Sequence, residues 1–311
     1  MVKGSLLSQE SHHNFIITGH LVPIGRTGIK TRRLSDDMRD HTDIKTAAPP
    51  RAIGTLHIGA KITAGATELS DLYQNGCLRA LFPRRQDHLE AVIINTAGGI
   101  TGGDRLKVAA SARDGARLAV TTQASERIYR AQPDSFGRLT TQLKVDNDSV
   151  LHWLPQETIF YDRGSLDRRL SIDLAPTARA LIVEPVLFGR LAMGETQLSG
   201  MFRDQIDMKV AGKLIYRDAS VLHGDITSQL ERPAVAAGMR AMAAVLYRAP
   251  DAAAYISKVR SYLNATSGCS LLGADLCVLR LLAVDGFALR QMMLPILDLF
   301  TQNSLPKCWR L

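Results

Sequence analysis

From Gly54 onward the chain reads as a succession of short segments in which apolar and polar side chains alternate. Thr55–Thr63 sets Leu56, Ile58 and Ala60 against His57, Gly59 and Lys61, and Gly137–Val145 puts Leu139, Thr141, Leu143 and Val145 on one face. A period of two is the mark of a half-buried strand, because successive Cβ atoms point to opposite sides of a sheet. Gly76–Phe82, Leu89–Asn95, Arg105–Ala112, Ala116–Thr122, Ser149–Leu154, Leu166–Leu174, Ala178–Leu187, Phe202–Val210 and Gly212–Tyr216 continue the series. Turn residues such as Asp146-Asn147-Asp148, Arg163-Gly164 and Ala175-Pro176 separate them. Asp114-Gly115 predicts a hairpin between its flanking strands, since glycine at positive φ suits the two-residue turn. After about Glu231 the pattern changes. Asp251–Leu263 and Asp285–Asn303 are predicted helices with an aspartate cap, and Pro295 should kink or interrupt the second. Met239–Arg248 and Leu276–Val284 fit strands, and as apolar runs either also fits a helix. The expected class is mainly β, in stacked sheets, with a few helices toward the C-terminus.

Asn95–Arg130 is the densest stretch of signals. Four glycines (Gly98, Gly99, Gly102, Gly103) precede an acid–base pair, Asp104 and Arg105. Gly98-x4-Gly103 has the glycine spacing of a phosphate-binding loop, but that loop needs Lys and then Ser/Thr next, for the phosphates and magnesium. Asp104 would repel a phosphate, and the segment after it reads as strand, so no helix N-terminus faces a ligand. The dinucleotide fingerprint fails on spacing as well. The glycines therefore predict a tight turn in which backbone approaches neighbours closely.

N-T-A-G-G-I-T-G-G-D followed by T-T-Q-A-S-E-R-I-Y-R resembles the signature of the urease accessory protein UreD (UreH) family. Leu154–Arg163 (L-P-Q-E-T-I-F-Y-D-R), Glu184–Glu195 (E-P-V-L-F-G-R-L-A-M-G-E) and Leu271–Arg280 (L-L-G-A-D-L-C-V-L-R) extend the resemblance in the family's order. It covers roughly residues 55–311. The resemblance implies an irregular β-helix-like arrangement and a non-enzymatic role in inserting nickel into urease. It implies partners, namely the urease subunits, UreF and, through UreF, the GTPase UreG. It also implies no permanently bound cofactor, only nickel in transit along an internal route.

Residues 1–54 lie outside the resemblance. Their periodicity is poor, and basic (Lys30, Arg32, Arg33) and acidic (Asp36, Asp37, Asp40, Asp43) clusters end in Pro49-Pro50, which predicts a variable extension before a single domain at 55–311. The net charge of +8 is spread in pairs such as Arg84-Arg85 and Arg168-Arg169. A nucleic-acid binder would concentrate it in a stripe with stacking aromatics, so an acidic protein partner fits better. No apolar run reaches the ~18 residues of a membrane-spanning helix, and Phe15–Ile17 is too short for a signal-peptide core. Four cysteines without a C-x-x-C pair read as free thiols in a reducing cytoplasm.

The eight histidines form no H-x3-H or H-E-x-x-H pair, which argues against a closed metal cage. His57 and His152 fall inside strand patterns, and His12-His13 could bind metal adventitiously. Glu157 and Glu184 stand in otherwise apolar strand sequence, where a carboxylate must be paired or meet water. Two readings stay open: a salt bridge with an arginine such as Arg127, Arg163 or Arg190, or the lining of a polar route suited to a hydrated nickel ion. Thr121, Thr122, Gln123 and Glu126, with Arg127 beside them, form a polar run that is either a strand end with locally bonded hydroxyls or part of the same lining. A rival reading is a small-molecule enzyme using Asp104, Glu126 or Glu157 as acid or base. The Met292-Met293-Leu294 stretch is a candidate partner-binding surface, with core packing as the competing reading.

Overall fold

Alternation along the strands builds two sheets that share one aliphatic interior. The computed structural model describes residues 50–310, so the predicted 1–54 extension lies largely outside the described residues. The strands are, in order, β1 (Ile53–Thr63), β2 (Ala66–Gly76), β3 (Leu78–Leu81), β4 (Leu89–Asn95), β5 (Arg105–Ala112) and β6 (Arg117–Thr122). They continue with β7 (Glu126–Ile128), β8 (Gly137–Val145), β9 (Val150–Leu154), β10 (Thr158–Phe160), β11 (Gly164–Leu174) and β12 (Arg179–Phe188). β13 (Ser199–Val210), β14 (Lys213–Asp225), β15 (Ala241–Arg248), β16 (Gly268–Leu272) and β17 (Leu276–Ala283) complete the set. Three α-helices, α1 (Ile226–Glu231), α2 (Ala252–Arg260) and α3 (Gly286–Thr301), all follow β14.

One sheet runs β14-β13-β11-β8-β5-β1-β2 and the other β16-β17-β15-β12-β9-β6-β4-β3. The chain crosses between them at each turn, laying β5, β8, β11 and β13 parallel in one sheet and β6, β9 and β12 parallel in the other. The short β10 pairs with the end of β12, and β7 pairs with β10. This is a stacked-coil, solenoid-like β fold. Equivalent positions on successive coils stack: Leu56, Val108, Thr141, Leu170 and Ile206 form one inward row. The next row reads Gly54, Leu106, Leu139, Arg168 and Asp204, so the register that stacks leucines also brings a cation and an anion inside.

The ten-stranded sheet is buried on both faces, as parallel sheets usually are. β12 shows it: Ala180, Ile182 and Val186 face the interior, while Leu181 and Val183 join a second core beneath α3. Met292 and Met293 are buried in that second core and Leu294 packs against it, which corrects the expectation of an exposed methionine surface.

Other expectations are corrected too. Asp114-Gly115 does make a tight turn with both residues at positive φ, but it is a corner and not a hairpin. β5 and β6 enter different sheets because each takes its hydrogen bonds from the neighbouring coil, β8 and β9 respectively. β2 is a strand where a loop was expected; it pairs with β1 as an edge strand with almost every residue exposed, so no face needs to be apolar. Asp251 does not cap α2 with its side chain but accepts from the Tyr247 and Tyr255 hydroxyls. Asp285 does cap α3, accepting from the Ala288 amide at 2.8 Å, and the helix runs on through Pro295. Among the described residues no helix is long and apolar enough to cross a membrane.

Candidate functional site

Within the stack, near the turns that follow β4 and β6, the aliphatic interior opens into a cavity of about 160 Å³. The last residues of β4, the run after β6, and the inward positions of β9, β11 and β12 surround it. Of the residues singled out from sequence, Gly98, Thr122, Gln123, Glu126, Arg127 and Glu184 line it.

Glu184 lies at the centre of a buried polar cluster. The Trp153 indole donates to its Oε1 at 2.7 Å, and the Arg168 guanidinium contacts its Oε2 at 2.6 Å. Arg168 is 3% exposed and also grips Asp204 through Nε and Nη2, at 2.9 and 2.6 Å, and donates to Thr158. Burial pushes the Glu184 carboxyl above the usual glutamate range; Arg168 opposes the shift and Asp204 adds to it. The guanidinium stays charged, because the two carboxylates outweigh its own burial. One guanidinium is thus shared between two carboxyl groups.

Glu157 is also buried, but it stands outside the cavity lining. Arg290 of α3 donates to it at 2.6 Å, and Ser125 donates at 3.3 Å. The same guanidinium donates to Gln156 Oε1 and to the carbonyls of Cys308 and Trp309. Both glutamates are thus ion-paired, with Arg168 and Arg290 and not with Arg127, Arg163 or Arg190. Arg163 and Arg190 pair instead with Asp162 and Glu195. Arg168 also leaves the set of dispersed surface charges to which its pairing with Arg169 had assigned it.

Glu126 differs from both. Among the described residues it has no basic partner within ion-pair distance; Asn95 Nδ2 donates to both its oxygens at 3.1 Å. Burial raises its carboxyl to about 7, against the pull of Asn95 and the Arg127 amide. Thr122 accepts from the Gln156 amide and donates to the Ala124 carbonyl, while Thr121 points the other way, toward Cys308 under the C-terminal layer.

The glycine turns brace this wall. Asp104 is buried and its two oxygens accept from the Ala52 and Thr101 amides, both at 2.8 Å, which ties the turn to the chain entering β1. Gly99 has φ of 155°, and a Cβ there would collide with the Tyr129 ring and stand 2.7 Å from the Arg127 carbonyl. A Cβ at Gly102 would strike Ser135, and one at Gly103 would press on Arg51. Asp104 is thereby engaged as a backbone clamp.

Sequence reasoning missed Arg168, Trp153, Asp204 and Arg290. The first had a signal: Leu166, Leu170, Ile172 and Leu174 alternate inward, and Arg168 falls on the same parity. His152 is half-buried, and burial, with smaller contributions from nearby His88 and Arg117, lowers its imidazole to about 4. Among the described residues no three His, Cys, Asp or Glu side chains converge as a metal-holding group. The four cysteines are free.

A family model described as UreD urease accessory protein matches residues 52–310. A urease accessory protein UreD from Roseobacter denitrificans is 46% identical over 271 residues, covering 86% of this chain and 99% of that protein. UreD proteins from Ruegeria pomeroyi (47% over 255 residues; 82% of this chain, 99% of that one) and Rhizobium etli (41% over 273; 87% and 100%) align similarly. The signature turns, the solenoid-like stack and similarity at this level over most of the chain agree, and the chain belongs to the UreD family of urease accessory proteins.

Proposed function

We propose that this protein is a cytoplasmic, non-enzymatic urease maturation factor that binds apo-urease and UreF, with UreG reached through UreF, and passes nickel to the urease active site through its interior. The observation that carries this reading is the cavity between the sheets, with Glu184 and Glu126 on its wall and Asp204 sharing Arg168 beside it. Its volume has room for several waters. Carboxylate oxygens and water suit a divalent cation that must leave again, where a thiolate cage would retain it. GTP chemistry falls to the partner, in keeping with an Asp104 turn that cannot cradle phosphate.

The test uses Glu184→Gln with Glu157→Gln as its companion, the second loosening the adjoining wall without altering the lining. Each full-length variant is co-expressed with urease and its maturation proteins, and thermal stability, urease capture and the nickel content of recovered urease are measured. The expected result is normal capture with low nickel for Glu184→Gln. Full nickel loading by a stably folded Glu184→Gln protein overturns the route; loss of nickel only in step with unfolding overturns it equally.

A further inference from the structure

The two glutamates conspicuous in the sequence are each held by an arginine, and the third carboxylate of this region is not. We propose that Glu126 is the carboxylate at which a divalent first-row cation is first bound in this interior, with Glu184 serving as a preset part of the wall. The inference rests on the reading of the cavity as a cation route and adds the group that takes the ion.

Geometry supports the choice. Glu126 opens β7 directly after the polar run, lines the cavity, and is held by neutral amides, the Asn95 side chain donating to both its oxygens. That amide is positioned for the purpose: Asn95 Oδ1 accepts from the Ala97 amide, which orients Nδ2 toward Glu126 and the Gly99 carbonyl. A carboxylate held by neutral amide donors keeps lone pairs free for a metal, whereas Glu184 is already neutralised by Arg168 and bonded to Trp153. A cation at Glu184 would also stand against the Arg168 guanidinium, a like-charge repulsion that no ion-paired base imposes at Glu126.

The charged groups around Glu126 set its pH behaviour. Arg127, on its own strand, is exposed and favours the ionised form weakly; Asp104, from the turn before β5, opposes it. The Cys77 thiol, between β2 and β3, is pushed up in part by Glu126. Arg168 and Glu184 face the same cavity as a matched pair. With its carboxyl raised to about 7 by burial, Glu126 holds a proton part of the time at neutral pH. Cation binding is then an exchange: the carboxyl O–H bond breaks, a metal–oxygen bond forms, and the proton passes to solvent.

The experiment titrates NiCl2 into the purified full-length chain by calorimetry at pH 6, 7 and 8, in buffers of different ionisation enthalpy that reveal proton release. All chains carry His12→Ala and His13→Ala, so that the adjacent histidines do not contribute. The expected result is affinity rising about tenfold per pH unit below about pH 7 and levelling above it, with about one proton released at pH 6. Glu126→Gln, near-isosteric, should bind at least about fivefold more weakly at pH 8 and lose the pH dependence, while Glu157→Gln binds as the parent does. Equal affinity and equal pH dependence in Glu126→Gln overturn the inference. A second measurement needs no variant at this position: Co2+ added to the parent chain should shift the backbone amides of Ser125–Arg127 and the Asn95 side-chain amide in NMR spectra. Unmoved resonances there overturn it as well. The outcomes separate from those of the proposed function. Low urease nickel with Glu184→Gln but unchanged binding by Glu126→Gln removes this inference alone, whereas normal urease loading with weakened binding removes the route and keeps the cation site.

Discussion

Replacing Arg168 by methionine removes the one cation from a cluster holding two buried carboxylates, while keeping most of the side chain's length. In the native protein the guanidinium makes two hydrogen bonds to Asp204, one to Thr158 and an ion pair at 2.6 Å to Glu184, with all three charged side chains nearly inaccessible. Breaking a buried pair from one side costs about 3–5 kcal/mol, because a charge is left uncompensated. For a chain of this size that lowers the melting temperature by roughly 2–4 °C per kcal/mol, on the order of 10 °C in all. The deficit should depend on pH in a stated direction. Glu184 already lies above its ordinary range through burial, with Arg168 holding it down. Without Arg168 it rises further, and a carboxyl raised on folding contributes stability at low pH that is lost as pH climbs through its folded value. The gap between native protein and Arg168→Met should therefore be smallest near pH 5 and widen toward pH 8. Calorimetric melting at these pH values decides the matter. A gap under about 1 kcal/mol, or one that widens on acidification, refutes the reasoning. Replacing Arg168, Glu184 and Asp204 together by apolar residues of similar volume should recover most of the loss.

Two further expectations concern the walls around the cavity. Gly99→Val should lower stability by roughly 1–3 kcal/mol or more, since its φ of 155° and the Tyr129 ring both exclude a side chain, whereas Gly98→Ala, with open space beside it, should cost less; thermal melting of the two ranks them. Arg290→Ala removes a donor to Glu157, Gln156 and two C-terminal carbonyls, and should cost about 2–4 kcal/mol while amide exchange accelerates at residues 305–310.

Strands that bury one face were legible because their alternation is a direct image of the interior: Leu56, Ile58 and Ala60 in β1, or Leu143 and Val145 in β8, point where their parity says. β2 and most of β14 were not, since they bury neither face and their sequences carry no such constraint. The Asp114-Gly115 turn was read correctly as a turn and wrongly as a hairpin, because local sequence fixes the bend while pairing depends on coils far away in the chain. The same limit applied to the site. Glu184 and Glu157 stood out by contrast with their neighbours, and so did the polar run leading to Glu126. Their partners Arg168 and Arg290 lie on other elements, and only the stacking register of β11 and the packing of α3 bring them close.

The anchoring of the C-terminus has a consequence for biosynthesis. Trp309 donates its indole N–H to the Leu154 carbonyl, 155 residues earlier, and the Arg290 guanidinium, 4.9 Å from that indole ring, joins Glu157 to the carbonyls of residues 308 and 309. At the usual ~5–20 residues per second of translation, about 10–30 s separate the emergence of these two halves of one wall. The parallel coils can stack as they are made, but the strand edge beside the cavity is secured only once residues 308 and 309 have emerged. A chain lacking those residues would carry every coil of the stack and every residue of the cavity lining, yet lack the clasp that holds Leu154–Glu157 in place. The stack can therefore form before its wall is fixed.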